Sequence, residues 1–404
     1  MGGEGAASCW PCADVGYWNG GHGRTATTVS VEHRFYGRSV PNGGLTAANL
    51  PFLTTPHNLR DTAAVVQAVN PGGARRVLNF GGSYSGGTAA WFRTKFPELT
   101  HAAVSSSGVV NAIVDFVQFD ESIVATLGDY SRRSGSAFPN CLNTVVAAIN
   151  ALDEMSAAQL RAAKTYPFNA SVGQTDVDFM YMIADAIAMA VQYGGKQHLC
   201  TVLQNQMSNQ SRGNGGDGAV AAVARAIPIL YGPAFQQGCF YDTSCIAKTL
   251  RDSATGVGNK AWRWQKCSLL GYIQSRPGGA AGKVAARSRL LTLASQRQQC
   301  KDMFPGNGKD LDRLMAANAQ FQTEFGGAHP SEVGASKIIF VDYSDDPWQT
   351  ASVRGTGPEW PERDLHYCFE KCDGCGHCGA GVPKNVTTCA DAIAERVGAW
   401  LETN

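Results

Sequence analysis

Residues 80–87 read Phe-Gly-Gly-Ser-Tyr-Ser-Gly-Gly. A serine among such small neighbours suits a tight turn at a strand end, where its hydroxyl stands clear for nucleophilic attack. Gly81 and Ser83 meet the first half of a Gly-x-Ser-x-Gly spacing, and Ser85 replaces the second glycine. With Ser85 as nucleophile, the flanking positions become Ser83 and Gly87, a poorer fit. Ser83 is the candidate nucleophile. Without chemistry, the same segment would be a Gly/Ser-rich turn able to hold an anion. It lacks the Gly-Lys-Ser/Thr ending of a phosphate loop and the Gly-x-Gly-x-x-Gly of a dinucleotide site.

Such a serine needs an acid and a base, and in hydrolases built on this turn the order is Ser, Asp or Glu, His. The apolar run Lys337–Tyr343 leads into Ser344-Asp345-Asp346-Pro347-Trp348. Asp346 follows a late strand and is stiffened by Pro347. Asp345 reads as a turn residue, and Asp342 falls inside the strand. One loop aspartate more often caps a turn, so position is what raises Asp346. Two of the eight histidines follow it. His366 sits in a strand-like segment, DLHYCF. His377 sits in Cys375-Gly376-His377-Cys378-Gly379, a loop before the last helical stretch. His33, between Glu32 and Arg34, precedes the serine and reads as structural.

The elements that must position these residues follow an α/β pattern. Thr25–Phe35 is rich in β-branched residues and predicts a strand. Asn58 is the expected cap of a helix over Leu59–Val69. Arg76–Phe80 predicts a buried strand, Thr88–Phe96 a helix and Ala102–Ser106 a third strand. This alternation implies a parallel sheet with right-handed crossovers. From about Val110 to Ala328 the apolar spacing is helical, broken by Gly-rich loops at Arg212–Gly218 and Pro277–Gly282. Strand character returns at Lys337–Tyr343, and Cys389–Leu401 is an amphipathic helix. The expected organisation is an α/β core over 1–110 and 334–404, interrupted by a helical insertion over 111–333.

Composition narrows the classes. Lys and Arg total 34 against 33 Asp and Glu. That balance gives no broad attraction to nucleic acid or an anionic membrane. No run of about 18 apolar residues occurs, and the most apolar stretch, Phe179–Val191, suits a buried helix. Thirteen cysteines point to disulfides and a secretory or lysosomal route. Yet the opening MGGEGAASCWPC is not a signal peptide, because no basic segment precedes an apolar one. Asn169, Asn209 and Asn385 open glycosylation sequons. Six cysteines lie in the helical insertion and seven in the core, an odd number. The Cys372-x2-Cys375-x2-Cys378 and Cys9-x2-Cys12 spacings also match zinc pairs. His377 would then be trapped in the metal loop, so disulfides are the expected use. Cys9-Trp-Pro-Cys12 has a thioredoxin-like spacing but opens no helix after a strand.

VEHRFYGRSVP, NFGGSYSGGTAAWFRTKFPE, SSSGVV, DPW at Asp346 and GHC at His377 resemble the proline-specific serine carboxypeptidase family. The likeness runs through the chain in the family's order. It implies an α/β-hydrolase core with a helical cap that narrows the cleft to short peptides. It implies Ser83 as nucleophile, Asp346 as acid, His377 as base, and proline next to the cleaved bond. Gly2-Gly3-Glu4-Gly5 resembles the family's early GGEG segment near the oxyanion site. Gly3 and Glu4, with the Tyr84 backbone N–H and Trp348, are the expected oxyanion and substrate contacts. The resemblance suggests disulfides Cys141–Cys300, Cys200–Cys267 and Cys239–Cys245, and often a homodimer. It places the enzyme in a lysosome or other acidic vesicle, or outside the cell. Because the chain starts inside GGEG, the expectation is that a leader and an early strand precede it.

The expected chemistry is acyl transfer through an acyl-enzyme, with no metal or organic cofactor. Cleavage direction stays open between Pro-Xaa carboxypeptidase and Xaa-Pro dipeptidyl peptidase. The alternatives are an esterase or lipase on the same core, or a non-catalytic peptide-binding relative.

Overall fold

The computed structural model describes residues 1–7, 26–133, 138, 140–171, 173–208, 215–251, 259–278, 284–306, 311–354, 359–360 and 364–402. Thr25, the Cys9/Cys12 pair and the Asn209 sequon lie outside these residues, as do parts of both expected Gly-rich loops. Asn169 and Asn385 are exposed.

Among the described residues five strands form one sheet: β1 (Leu78–Gly82), β2 (Ala102–Ser106), β3 (Ile338–Tyr343), β4 (Glu359–Trp360) and β5 (Leu365–Glu370). Their spatial order is β1-β2-β3-β5-β4. The first four in that order are parallel, with Leu78 opposite Ala102, Ala103 opposite Ile338, and Ile338 opposite Leu365. Short β4 closes one edge antiparallel to β5. The run IIFVDY is apolar almost throughout because β3 is central and covered on both faces.

Helix α1 (Thr55–Val69) precedes β1, and α2 (Tyr84–Lys95) links β1 to β2. The cap of α1 is Thr54, not Asn58. The Thr54 hydroxyl accepts the His57 N–H, and Pro56 fits the first turn, so the helix begins earlier. Helix α2 likewise begins directly after the serine turn.

Ten helices among the described residues lie between β2 and β3. They are α3 (Gln118–Arg133), α4 (Cys141–Glu154), α5 (Ala157–Thr165), α6 (Asp176–Gln192), α7 (Lys196–Ser208), α8 (Gly215–Tyr231), α9 (Thr243–Lys248), α10 (Asn259–Gln265), α11 (Leu293–Met303) and α12 (Leu311–Phe325). The fold is an α/β-hydrolase core carrying a helical cap. One buried apolar cluster runs without a break from Ala103 and Phe340 of the sheet to Val145, Ile183 and Val223 of the cap. The last helix, α13 (Thr388–Glu402), covers the other face through Ile393, Val397 and Trp400.

The strand expected at Thr25–Phe35 does not form over its described part. Residues 26–33 carry no strand pairing, and 34–38 form turns. The Glu32 side chain instead ties this segment to the turn that follows it and to the N-terminal residues. The Glu32 carboxylate accepts the N–H groups of Ala7, Arg38 and Ser39 and the Ser39 hydroxyl. Phe35 has φ 72°, which breaks any extended run there.

The cap bridges are Cys141–Cys200, Cys239–Cys245 and Cys267–Cys300. Only the second matches the expected pairing; Cys141–Cys300 and Cys200–Cys267 are corrected. Helices α4 and α7 both pack on α8, and this brings the Cys141 and Cys200 Cα atoms to 5.2 Å. Cys300 on α11 meets Cys267 just beyond α10, with Cα atoms 5.7 Å apart. Bridging requires such proximity, so helix packing decides the partners. In the core, Cys368–Cys389 ties β5 to α13, and Cys372–Cys375 closes a short loop.

Helix α2 sits very close to the sheet. A Cβ on Gly86 would stand 2.9 Å from both Gly108 Cα and Ser106 O. Gly86→Ala is expected to cost about 1–3 kcal/mol. Denaturant midpoints measure it; an unchanged midpoint would mean the helix has room to retreat.

Candidate active site

Ser83 occupies the corner between β1 and α2, with φ 59° and ψ −131°. A non-glycine residue held at positive φ is strained, and such strain gathers at functional sites. The corner is possible because its neighbours are small. A Cβ on Gly81 would lie 2.0 Å from the Ser85 carbonyl oxygen. Ser83 N–H donates to Ser106 O at 2.9 Å, which fixes the corner to the end of β2. Ser85 is occupied differently. Its hydroxyl donates to Gly82 O at 2.6 Å and accepts from Gly82 N–H at 3.1 Å. That leaves Ser83 as the serine whose hydroxyl is not spent on the turn's own backbone.

Tyr84 is the first residue of α2, so its N–H has no partner within the helix. Its phenol is buried and accepts from Gln265 Nε2 at 2.7 Å, with Thr55 Oγ1 at 3.0 Å and His33 Nε2 at 3.2 Å. His33 is thus a structural group. Burial pushes its pKa down to about 4, so it stays neutral.

The late residues converge as the chain order requires. Asp346 is fully buried, and its Oδ2 lies 2.8 Å from His377 Nδ1. Its Oδ1 accepts the Trp348 N–H at 2.9 Å. Both oxygens are engaged, so the carboxylate is fixed in direction. His377 Nε2 is buried and has no hydrogen-bond partner. Burial opposes charging of this imidazole. The Asp346 carboxylate, aided by Cys378, outweighs that and holds its pKa well above the ordinary value.

The turn that bears His377 is fastened beside the serine corner. Cys378 N–H donates to Ser107 Oγ at 2.8 Å. A Cβ on Gly82 would meet Cys378 Sγ at 2.9 Å. Cys378 itself has φ 55° and an unpaired thiol. Asp345, the neighbouring alternative acid, does a different job. It pairs with Lys196 Nζ of α7 at 2.7 Å and accepts the Gly374 N–H at 2.7 Å. His366 is tied to Asp364 on the strand edge, Nε2 to Oδ1 2.9 Å. Sequence reading overlooked the Lys196 and Ser107 contacts. Neither residue belongs to a motif, and each acts through a partner distant in the chain.

Trp348 sits in a buried aromatic cluster beside His377. Its ring centroid is 6.1 Å from that of His377, 5.5 Å from Phe116, 5.1 Å from Phe119 and 5.7 Å from Tyr272. Trp348 Nε1 donates to Gln192 Oε1 of α6 at 3.0 Å. Gly3 lies against the serine corner: its Cβ would be 3.4 Å from Ser85 Cβ. Glu4 is half-buried near His377, and burial raises its pKa. A cavity of about 1170 Å³ runs along β1 and reaches Glu4, Gly82, Ser85, Tyr193 and Cys378.

A profile of the serine carboxypeptidase S28 family matches residues 1–358. The chain belongs to that family. It is 30% identical over 370 residues to "Probable serine protease EDA2" of Arabidopsis thaliana, covering 87% of this chain and 67% of the relative. It is 29% identical over 351 residues to "Thymus-specific serine protease" of Mus musculus, covering 81% and 65%. A shorter match, 34% over 155 residues, joins it to "Lysosomal Pro-X carboxypeptidase" of Bos taurus, covering 36% and 30%. The chain spans about two thirds of the length of the first two relatives.

If the Asp346 bond is what raises the His377 pKa, Asp346→Asn should lower it. NMR titration of the imidazole would show this, starting in the unsubstituted chain from above the ordinary value of about 6.5. An identical midpoint in both proteins would assign the shift to another group.

Proposed function

We propose that this chain is a serine exopeptidase that cleaves short peptides next to proline, using Ser83, His377 and Asp346. The observation that carries the reading is the 2.8 Å Asp346–His377 bond, set beside a serine on a positive-φ corner. Ser83 Oγ attacks the scissile carbonyl while His377 Nε2 takes its proton. The proton then passes to the leaving amine. Water, deprotonated by the same imidazole, hydrolyses the acyl-enzyme. Asp346 keeps Nδ1 protonated and stabilises the imidazolium. The Tyr84 N–H and a donor from the Gly3–Glu4 segment receive the developing oxyanion.

A prolyl ring suits the Trp348 indole, the aromatic group next to His377, which Phe116, Phe119 and Tyr272 hold rigid from behind. Proline preference is also supported by the relative named a Pro-X carboxypeptidase. A vesicular or extracellular location is supported by the disulfides and by relatives named lysosomal and extracellular.

Glu4 favours the dipeptidyl direction. It is the acidic side chain lining the catalytic end of the cavity, while the basic residues Arg75 and Arg76 flank the start of β1. A carboxylate there would hold a substrate's free ammonium group.

A fluorophosphonate probe is expected to label Ser83. Ser83→Ala should lose the label and at least about a thousandfold in kcat/KM. Labelling elsewhere, or none in folded protein, would favour the peptide-binding reading. Xaa-Pro-reporter and peptide-Pro-Xaa substrates, compared near pH 5 and pH 7, test direction. Glu4→Gln should raise KM for the former by about tenfold and spare kcat. Esters cleaved far faster than both would point to an esterase.

A further inference from the structure

Strand β3 carries a second acid, Asp342, that the triad chemistry does not use. Along β3, Ile339 and Val341 pack toward α13, while Phe340 joins the cap-side cluster. Alternation turns Asp342 to the side of Phe340. Its exposure is 0%, as is that of Asp346 four residues later. Neither Asp342 oxygen makes a hydrogen bond of good geometry, and the Ser352 and Tyr367 hydroxyls beside it are the donors within reach.

A buried carboxylate without well-placed donors is very costly, whereas a buried carboxylic acid costs much less. The groups whose charge acts on Asp342 are Asp346, His377, Arg354, Tyr343 and Tyr367. The Arg354 guanidinium bonds to Gln349 and lies 5.0 Å over the Phe369 ring. Asp346 is already committed to His377 and to the Trp348 N–H. Two carboxyls enclosed together do not both ionise readily.

We propose that Asp342 is a positioning residue for the triad, a neutral carboxylic acid beside Asp346 whose ionisation sets the upper pH limit of activity. Burial, and then the Asp346 charge, push the Asp342 pKa up to about 8. Below that pH, Asp346 holds the one negative charge of the pair and orients His377. Above it, a second charge appears beside Asp346. Repulsion loosens the bond that fixes the imidazole. The added charge also holds the proton on His377, so less free base remains. Both effects lower the rate.

The proposal rests on the triad reading given above, and the two can fail separately. The experiment compares kcat and KM of the full chain and Asp342→Asn between pH 5 and pH 10, with fluorophosphonate labelling in parallel. The unsubstituted chain should lose kcat above about pH 8, at constant KM. Asp342→Asn should share the acid side of the profile and keep its plateau for at least one further pH unit. Coincident alkaline limbs would overturn the proposal. So would a uniform loss of rate with unchanged midpoints, which is what a merely structural residue gives. Absent labelling of the unsubstituted chain at every pH would instead sink the triad reading.

Folding supplies a second readout, which holds if the variant is inactive. The native acid keeps a proton that the unfolded chain releases near pH 4. Stability should therefore fall as pH rises from about 4 to about 8. Relative to Asp342→Asn, the unfolding constant should rise by up to about tenfold per pH unit in that window. Parallel pH curves for the two proteins would overturn the proposal.

Discussion

The main constraint on this molecule is the closeness of α2 to the sheet at the Ser83 corner. The helix follows β1 after one residue, so the backbone reverses where no side chain larger than hydrogen fits at Gly81 or Gly86. Packing of the Tyr84 end of α2 against Thr55 and Gln265 holds the helix down. Because the helix cannot retreat, Ser83 stays at φ 59°. The strain is local and small beside the apolar burial that enforces it. The second half of the site is then built against this fixed point, through Ser106, Ser107 and Cys378.

The candidate site was readable where chain order carried the information. Asp346 and His377 were separable from their rivals because a strand precedes one and a helix follows the other. The structure brings those two into a hydrogen bond and gives Asp345 and His366 other partners. Composition and apolar spacing also marked β1, β2, β3 and β5, the terminal helix and the helical character of the stretch from about Val110 to Ala328, but not the short β4. Local signals failed where a distant group intervened. VEHRF has the composition of a strand, yet Phe35 turns at φ 72° and Glu32 binds the N–H groups of Arg38 and Ser39 in the turn beyond it. Two of the three cap cystine pairs that the family resemblance implied are also overturned, while Cys239–Cys245 stands. They depend on which helices touch, and spacing in the sequence does not encode that.

The cap is more than a lid placed over the core. Its α6–α7 turn lies against the histidine loop so closely that a Cβ on Gly376 would stand 2.4 Å from Gln192 O. Lys196, 5% exposed, reaches Asp345 and Asp373 on the core side. Trp348 reaches back to Gln192. Two short segments distant in the chain therefore share one packed, ion-paired and hydrogen-bonded seam. A buried pair such as Lys196–Asp345 fixes geometry more than it adds stability, because desolvation offsets much of the attraction.

That seam has a consequence for the history of such a fold. A cap joined to its core only by two linkers could be lengthened, exchanged or lost, leaving the chemistry beneath it intact. Here the loop that presents the imidazole takes part of its shape from α6 and α7. Drift in the cap is thus filtered through the histidine loop. Substrate range can diverge freely only in the cap helices that do not touch the seam.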